Sequence, residues 1–274
     1  MTEDWENGGF GIYIHWPFCT AKCPYCDFNS HVRSNINQKQ WLKAYLNEIK
    51  RVSEKTSNRI LNSVFFGGGT PSLIEPSIIG DVLNEIQKHW KTKNNFEVTL
   101  EANPGSVDAK NFKAYKEAGV NRTSMGIQSL NTKDLKALGR THTVEEALAA
   151  FEIARQNFKA VSFDLIYARQ NQNISQWEKE LSLALSLEAS HMSLYQLTIE
   201  QGTAFGDRYN RGLLKGLPND DTSADMYDLT LSLCEDRGLV SYEVSNYAHQ
   251  GYESIHNLIY LSLIHISEPT RHCT

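Results

Sequence analysis

The chain has 274 residues, of which 41% are hydrophobic and 22% charged, a balance typical of a globular protein with a substantial core. Its formal net charge of -5 argues against a general nucleic-acid binder or a basic membrane-surface protein. No apolar run is long enough to cross a bilayer, and the N-terminal segment lacks the features of a secretory signal, so we expect a cytoplasmic protein.

Six β-type segments alternate with segments whose apolar residues recur at helical spacing. The strand candidates are residues 10–15, 60–66, 96–102, 120–127, 160–167 and 191–197. Two helix starts match the capping box, Thr143 with Glu146 and Ser175 with Glu178. Successive strand–helix units predict a parallel sheet, because each crossover returns over the sheet in the right-handed sense. Past residue 200 the pattern predicts a helix over 221–239 and a strand over 240–244.

Glycine, acidic, other polar and cysteine residues follow the predicted strands at the points where they end. These residues are Cys19, Gly67 to Thr70, Glu101, Gln128, Asp164 with Tyr167, and Gln196. An open doubly wound sheet and a partial barrel both fit the alternation. Six consecutive strand ends that carry such residues favour the barrel, with one functional mouth at its C-terminal face.

Three of the five cysteines lie within eight positions as C-x3-C-x2-C. Thiolates bind zinc, copper(I) and iron–sulfur clusters. A structural zinc site would need a fourth ligand, such as His15 or His31. An iron–sulfur cubane usually takes four cysteines, so three would leave one iron open to a reactive ligand. The spacing favours the iron–sulfur interpretation over zinc, and Cys234 on its predicted helix is expected to be a small core residue.

The segment "CTAKCPYC" resembles the signature of the radical S-adenosylmethionine (SAM) superfamily. The motifs "FFGGGTPSL", "EANPGS", "RTSMGIQSL", "LGRTH", "SLYQLTIEQGTAF" and "HNLIY" follow in order and are similar to those of the HemW family of heme chaperones. That family is related to oxygen-independent coproporphyrinogen III oxidase. The resemblance implies an α/β fold, a radical-SAM partial (β/α)6 barrel followed by the beginning of a C-terminal α+β region. It also implies a 4Fe-4S cluster, SAM and heme.

The resemblance assigns roles to individual residues. Cys19, Cys23 and Cys26 match the cluster ligands, and SAM would bind the open iron. The residues that match SAM contacts are Tyr13, Tyr25, Gly68, Gly69, Thr70, Glu101, Gln128, Arg140 and Asp164. His256 and Tyr260 match a heme-associated stretch. Barrel packing is the alternative role for the two tyrosines, and a structural role is the alternative for His256.

One position separates the two related functions. The coproporphyrinogen oxidases carry a further cysteine two positions after the third cluster cysteine, and this chain has Phe28 there. The resemblance therefore favours a chaperone that delivers heme to an acceptor protein. The alternative is oxidative decarboxylation by a coproporphyrinogen III dehydrogenase. The implied partners are a heme-accepting protein and a reductant for the cluster, with no nucleic acid. A homodimer and peripheral association with membrane proteins stay open.

The predicted division is a radical SAM core over residues 1–200 and the start of an incomplete C-terminal region over 201–260. The loop "ARQNQ" (168–172) departs from the Pro-Gly-Gln turn of the family. Residues 261–271, "LSLIHISEPTR", resemble a translated sequencing adapter, so we expect residues 261–274 to be a non-native segment in which Cys273 has no role. A native divergent tail is the alternative.

Overall fold

The computed structural model describes residues 4–264, an α/β fold built on a mostly parallel eight-stranded sheet. The strands are β1 (Phe10–Trp16), β2 (Phe18–Cys19), β3 (His31–Val32), β4 (Ile60–Gly68), β5 (Lys91–Ala102), β6 (Arg122–Gln128), β7 (Ala160–Tyr167), β8 (His191–Gln196), β9 (Val240–Ser241) and β10 (Asn246–Ala248). The helices are α1 (Asp4–Gly8), α2 (Gln38–Thr56), α3 (Pro76–His89), α4 (Ser106–Glu117), α5 (Thr132–Ala137), α6 (Val144–Asn157), α7 (Ile174–Leu185), α8 (Ala204–Asn210), α9 (Asp220–Glu235) and α10 (Ile255–Ile264).

The sheet order is β1-β4-β5-β6-β7-β8-β10-β9. Its first six strands pair in parallel, which confirms the sheet expected from the six predicted strand–helix units. Strands β10 and β9 then add in the antiparallel sense. The predicted strand over 240–244 is shorter than expected, since β9 holds only Val240 and Ser241. The predicted helix over 221–239 ends at Glu235, ahead of Gly238 in the left-handed conformation.

The two faces of the sheet differ sharply in polarity. Successive side chains of a strand point to opposite faces. One face carries apolar residues such as Val64, Phe66 and Leu100, which are fully buried in the main core with the helices. The other face, which we call the polar face, is lined by hydroxyl, carboxyl, guanidinium and imidazole groups. Its members include Ser63, Glu97, Thr99, Glu101, Arg122, Ser124, Ser162, Asp164, His191 and Ser193.

Helix α10 packs on this polar face at its N-terminal end. The Glu97 carboxylate accepts hydrogen bonds from the backbone N–H of Ile255 and of His256, both at 3.2 Å. It thereby satisfies donors that a helix start leaves without intrahelical partners. Arg122 lies 3.6 Å from Glu97 in a buried ion pair, and its Nη1 also donates to the Tyr252 carbonyl oxygen at 2.9 Å. The sheet therefore holds the C-terminal helix through a charged network.

One predicted capping box is confirmed and the other is wrong. Thr143 and Glu146 form the reciprocal pair at the start of α6. At the start of α7, however, the N-cap is Asn173 and its partner is Gln176, with both bonds at 2.9 Å. Ser175 is already inside the first helical turn. The sequence offers two overlapping capping pairs there, and asparagine caps a helix as well as serine does.

Replacement of Asn173 by alanine is expected to lower the free energy of unfolding by about 1 kcal/mol, because one N-terminal amide of α7 loses its acceptor. Ser175→Ala is the matched control, and its expected effect is within about 0.5 kcal/mol, as for other exposed surface positions. Urea unfolding measures both. A larger loss in Ser175→Ala than in Asn173→Ala would contradict the observed cap.

Residues 261–264 of the expected non-native segment continue helix α10. Ser262 Oγ donates to the Gly8 carbonyl oxygen at 3.0 Å. Residues 265–274, including Cys273, lie outside the described residues. Cys234 is fully buried in the core, as predicted. Among residues 4–264, no helix has both the length and the apolar character needed to cross a membrane.

Candidate functional site

The three clustered cysteines lie in one loop at the carboxyl end of β1. Cys19 ends the short strand β2, and Cys23 and Cys26 follow before β3. The β2–β3 pairing closes the loop, and the backbone N–H of Cys26 donates to the Cys23 carbonyl oxygen at 3.2 Å. All three thiols are free and partly buried. They are therefore available as ligands on one side of the sheet mouth.

Two basic side chains support this loop from within. His15 Nε2 lies 2.9 Å from the Asn29 carbonyl oxygen, and Lys22 Nζ donates to the Ser30 carbonyl oxygen at 3.4 Å. The other ring nitrogen of His15 lies 3.2 Å from the Tyr13 hydroxyl. Because both nitrogens of His15 have partners, this residue is a poor fourth ligand for zinc. Within residues 4–264, no three His, Cys, Asp or Glu side chains converge on a single metal ion.

Arg140 reaches into the cysteine loop from the segment after α5. Its Nη1 donates to Cys23 Sγ at 3.2 Å. Its Nη2 donates to Asn103 Oδ1 and to the Gly126 carbonyl oxygen, both at 2.8 Å. The guanidinium thus joins the cysteine loop to the ends of β5 and β6. Its expected contact with SAM stays a prediction, because the observed contact is with a cysteine.

Two carboxyl groups lie on the polar face close to the strand ends. Strand register places Glu101 beside Ser124, and Ser124 Oγ donates to Asp164 Oδ1 at 3.2 Å. Burial raises the pKa of Glu101 to about 8, helped by the negative charge of Asp164, while the hydrogen bond from Gly68 lowers it in part. Burial also raises the pKa of Asp164 to about 6, against hydrogen bonds from serine hydroxyls. Carboxyl groups in this setting suit a ligand that bears hydroxyl groups.

These pKa values predict a pH dependence for the stability of the cofactor-free chain. The pKa of Glu101 is about 8 in the folded state, against an ordinary value of 4.5. Between these two pH values the folded state therefore retains a proton that the unfolded state has lost. The free energy of unfolding is therefore expected to fall as the pH rises through this interval and to level off above about pH 8. Asp164 adds to the fall up to about pH 6.

Glu101→Gln is the variant that tests this dependence. The amide stays neutral and still offers an oxygen to the Gly68 N–H, so its unfolding free energy is expected to change less with pH than that of the wild type. Urea unfolding at intervals between about pH 5 and pH 9 measures both proteins. Identical pH profiles for wild type and variant would show that Glu101 is not the titrating group.

The glycine turn after β4 packs tightly against the start of the cysteine loop. Gly68 has φ +116°, and a Cβ there would lie 2.6 Å from the His15 ring, so glycine is required. The Gly68 N–H donates to Glu101 Oε2 at 3.0 Å, that of Gly69 to the Trp16 carbonyl and that of Thr70 to the Phe18 carbonyl. The three N–H groups of the turn are thus bonded within the protein, and its contact with SAM stays a prediction.

Gln128 and the two tyrosines occupy different sides of the mouth. Gln128 ends β6 in the left-handed conformation at φ +74°, and its side-chain amide folds back over Gly126. Tyr25 lies beside Arg140 and Cys23, with its ring 6.4 Å from that of Phe205. Tyr13 stacks on Phe65 at 6.0 Å on the opposite side. Burial raises the pKa of both tyrosines, which keeps both hydroxyls protonated.

The predicted heme-associated pair lies on α10. His256 is buried, with Nδ1 2.8 Å from Ser63 Oγ and its ring stacked on Phe65 at 5.0 Å. Its Nε2 is buried and has no hydrogen-bond partner among the described residues. Tyr260 packs edge-on against the imidazole at 5.1 Å and is itself exposed. Burial lowers the pKa of His256 to about 4, so the imidazole is neutral at neutral pH.

Sequence reasoning missed the side chains that hold the predicted ones in place. Asn103 bridges Arg140 and Thr70, to which its Nδ2 donates at 3.3 Å. It lies two residues beyond Glu101, so the "EANPGS" motif itself contains the residue. Ser124 and Ser193 flank Asp164 on neighbouring strands. Their signal was the alternation of small polar and apolar residues along β6 and β8.

Comparison with known proteins identifies the family. Residues 13–184 match the family model described as the Radical SAM superfamily. The chain belongs to the radical SAM superfamily. It is 41% identical over 255 residues to the heme chaperone HemW of Haemophilus influenzae, covering 91% of this chain and 65% of that protein. It is 37% identical over 251 residues to the heme chaperone HemW of Escherichia coli, with the same two coverages.

A vertebrate relative and a solved structure agree with this assignment. The chain is 39% identical over 250 residues to the mitochondrial radical S-adenosyl methionine domain-containing protein 1 of Danio rerio, covering 91% of this chain and 56% of that protein. The coproporphyrinogen III oxidase HemN of Escherichia coli, a radical SAM enzyme, superposes with a TM-score of 0.78 at 22% identity. That superposition covers 89% of this chain and 56% of HemN, and it shows the fold alone. The chain spans 56% to 65% of the length of the sequence relatives.

Membership of the radical SAM superfamily implies a 4Fe-4S cluster and SAM as cofactors. The residues of this chain fit them. Three free thiols in one loop would supply three iron ligands and leave one iron open for SAM. The buried carboxyls of Glu101 and Asp164 on the polar face would offer acceptors to the hydroxyl groups of SAM. When bound, the cluster and SAM supply the radical chemistry, and this chain binds and orients them.

Proposed function

We propose that this radical SAM protein is a heme chaperone, which binds heme and delivers it to an acceptor protein. The observation that carries the proposal is the 36–41% identity to proteins named heme chaperone HemW, over 91% of this chain. Phe28 supports it, because it stands where the related oxidases are expected to have a cysteine.

His256 is the proposed ligand of the heme iron. Neutral imidazole is a common axial ligand, and its second nitrogen is usually held by a hydrogen bond that fixes the ring. His256 has this arrangement, with Nδ1 held by Ser63 and Nε2 without a partner. Because only 4% of the residue is exposed, ligation requires groups that cover the imidazole to move aside. The exposed Tyr260 ring, which packs edge-on against it, is one of these groups.

The remaining assignments are parts of the same proposal. The partners are a heme-accepting protein and a one-electron reductant for the cluster, with no nucleic acid, in keeping with a net charge of -5. We propose the cytoplasm as the location. The vertebrate relative is named as mitochondrial. Residues 1–200 form the radical SAM core and 201–260 begin the C-terminal region.

Heme titration of the anaerobically reconstituted chain tests the proposal. Wild type is expected to bind heme. His256→Ala is expected to weaken heme binding by about tenfold or more, because it removes the proposed iron ligand. His89→Ala is the control, since His89 pairs with Glu85 at 3.1 Å on a helix away from the site. Far-UV circular dichroism shows that each variant is folded. Equal affinities for wild type and His256→Ala would reject the ligand assignment.

A second assay separates the chaperone from the enzyme. The reconstituted chain is given coproporphyrinogen III, SAM and a reductant under anaerobic conditions. A chaperone leaves the propionate side chains intact, so no protoporphyrinogen should form. Transfer of bound heme to an apo-acceptor, such as apomyoglobin, should proceed in the same preparation. Formation of protoporphyrinogen by this chain would contradict the proposal and support the dehydrogenase alternative.

A further inference from the structure

Cys23 differs from the other two cluster cysteines in its surroundings. Arg140 Nη1 donates to its sulfur at 3.2 Å. The Tyr25 side chain lies beside the same sulfur and the Arg140 guanidinium. In the described part of the chain, Cys23 is thus the cluster cysteine whose sulfur receives a charged side-chain donor.

The donor at Cys23 is held rigidly. Arg140 Nη2 is fixed by Asn103 Oδ1 and by the Gly126 carbonyl oxygen, both at 2.8 Å. The preceding residue, Gly139, has φ +69°, and a Cβ there would lie 2.7 Å from Pro24 Cδ. The backbone before Arg140 therefore packs directly on the residue that follows Cys23. These contacts within the protein fix the position of the guanidinium.

Hydrogen bonds and positive charge at a cluster sulfur stabilise the reduced cluster, which carries one more negative charge. We propose that Arg140 and Tyr25 tune the reduction potential of the cluster through the Cys23 sulfur and make it less negative. The step concerned is the uptake of one electron from an external one-electron donor, with no bond formed or broken. The inference rests on the cluster that superfamily membership implies and is independent of heme delivery.

This role differs measurably from a contact with SAM. A residue that only binds SAM changes SAM affinity and leaves the potential of the SAM-free cluster unchanged. A residue that tunes the cluster through Cys23 changes that potential in the absence of SAM. The midpoint potential of the SAM-free cluster is therefore the decisive readout.

The experiment compares wild type with Arg140→Gln and Tyr25→Phe after anaerobic reconstitution. Iron and sulfide content are measured first, and the midpoint potential is then measured by dithionite titration followed by EPR, without SAM. Both variants are expected to show a more negative potential, with the larger shift in Arg140→Gln because it loses a charge as well as a donor. Arg51→Gln is the control. It makes the same change in net charge at a side chain that is 64% exposed and paired with Glu48, and its potential should match wild type.

Several outcomes would overturn the inference. Wild-type potentials in both variants with full iron content would do so, even if Arg140→Gln bound SAM more weakly, since Arg140 would then serve SAM alone. If Arg140→Gln fails to load iron, Tyr25→Phe decides, because it removes a single hydroxyl and keeps the arginine. If neither variant loads iron, the two residues hold the structure of the cysteine loop, and the proposed effect on the reduction potential is rejected. Loss of heme binding in wild type would bear on the proposed function and not on this inference.

Discussion

Cys26→Ala is expected to abolish cluster loading, so that iron and sulfide in the reconstituted protein fall to background. Three thiolates are the minimum for a cubane that leaves one iron open, and no other cysteine among the described residues lies in the same loop. The turn from Cys23 to Cys26 fixes the spacing of the last two ligands, and a nearby hydroxyl or carboxylate would not replace a soft thiolate. Iron and acid-labile sulfide analysis measures the result.

Cys234→Ala is the matched control for this prediction. Cys234 is a free thiol buried in the core on helix α9, remote in sequence from the cysteine loop. Its removal leaves a small cavity and costs some stability, but iron content should equal that of wild type. Wild-type iron content in Cys26→Ala would contradict the assigned ligand set.

Arg169→Met is expected to lower the free energy of unfolding by about 3–5 kcal/mol, the cost of breaking a buried ion pair by removing one partner. The Arg169 side chain is 4% exposed and its Nη2 contacts Asp134 Oδ2 at 2.8 Å and the Glu180 carboxylate. Glu180 also accepts from Ser129 Oγ and from the Leu130 N–H, both at 2.7 Å. Methionine fills a similar space and leaves two carboxylates without their cation.

Arg155→Met serves as the control for Arg169→Met. Arg155 pairs with Glu152 at 3.4 Å on the surface, where 42% of its side chain is exposed. Exposed pairs contribute about 0–1 kcal/mol, so a small loss is expected. Urea unfolding at neutral pH compares both variants with wild type. Similar losses in the two variants would show that the buried network does not hold the loops after β6 and β7.

The regular part of this fold was predictable from local patterns. Alternation along strands and helical spacing depend on neighbouring residues only. In α3, the apolar residues at helical spacing, Ile78, Ile79, Val82, Leu83 and Ile86, are all buried in the structure. The order of strand-end motifs likewise indicated one functional mouth. The start of α7 was misplaced because Asn173 and Ser175 are both good capping residues, and local sequence does not rank them.

The contacts that join distant segments were beyond sequence reasoning. Nothing near Arg140 in the chain indicates that its guanidinium meets a cysteine that precedes it by more than a hundred residues. The loop at 168–172 departs from the family turn, yet Arg169 at its centre is buried against Asp134 and Glu180. Such pairings depend on how the loops after neighbouring strands pack together. They can be read from a three-dimensional structure and not from periodicity.

Anaerobic reconstitution with iron and sulfide tests most directly whether Cys19, Cys23 and Cys26 hold a cluster with one iron free for SAM. We predict about four irons and about four sulfides per chain, with an EPR spectrum of the reduced cluster that changes when SAM is added. A colourless protein with stoichiometric zinc, or a cluster whose spectrum does not respond to SAM, would contradict this assignment.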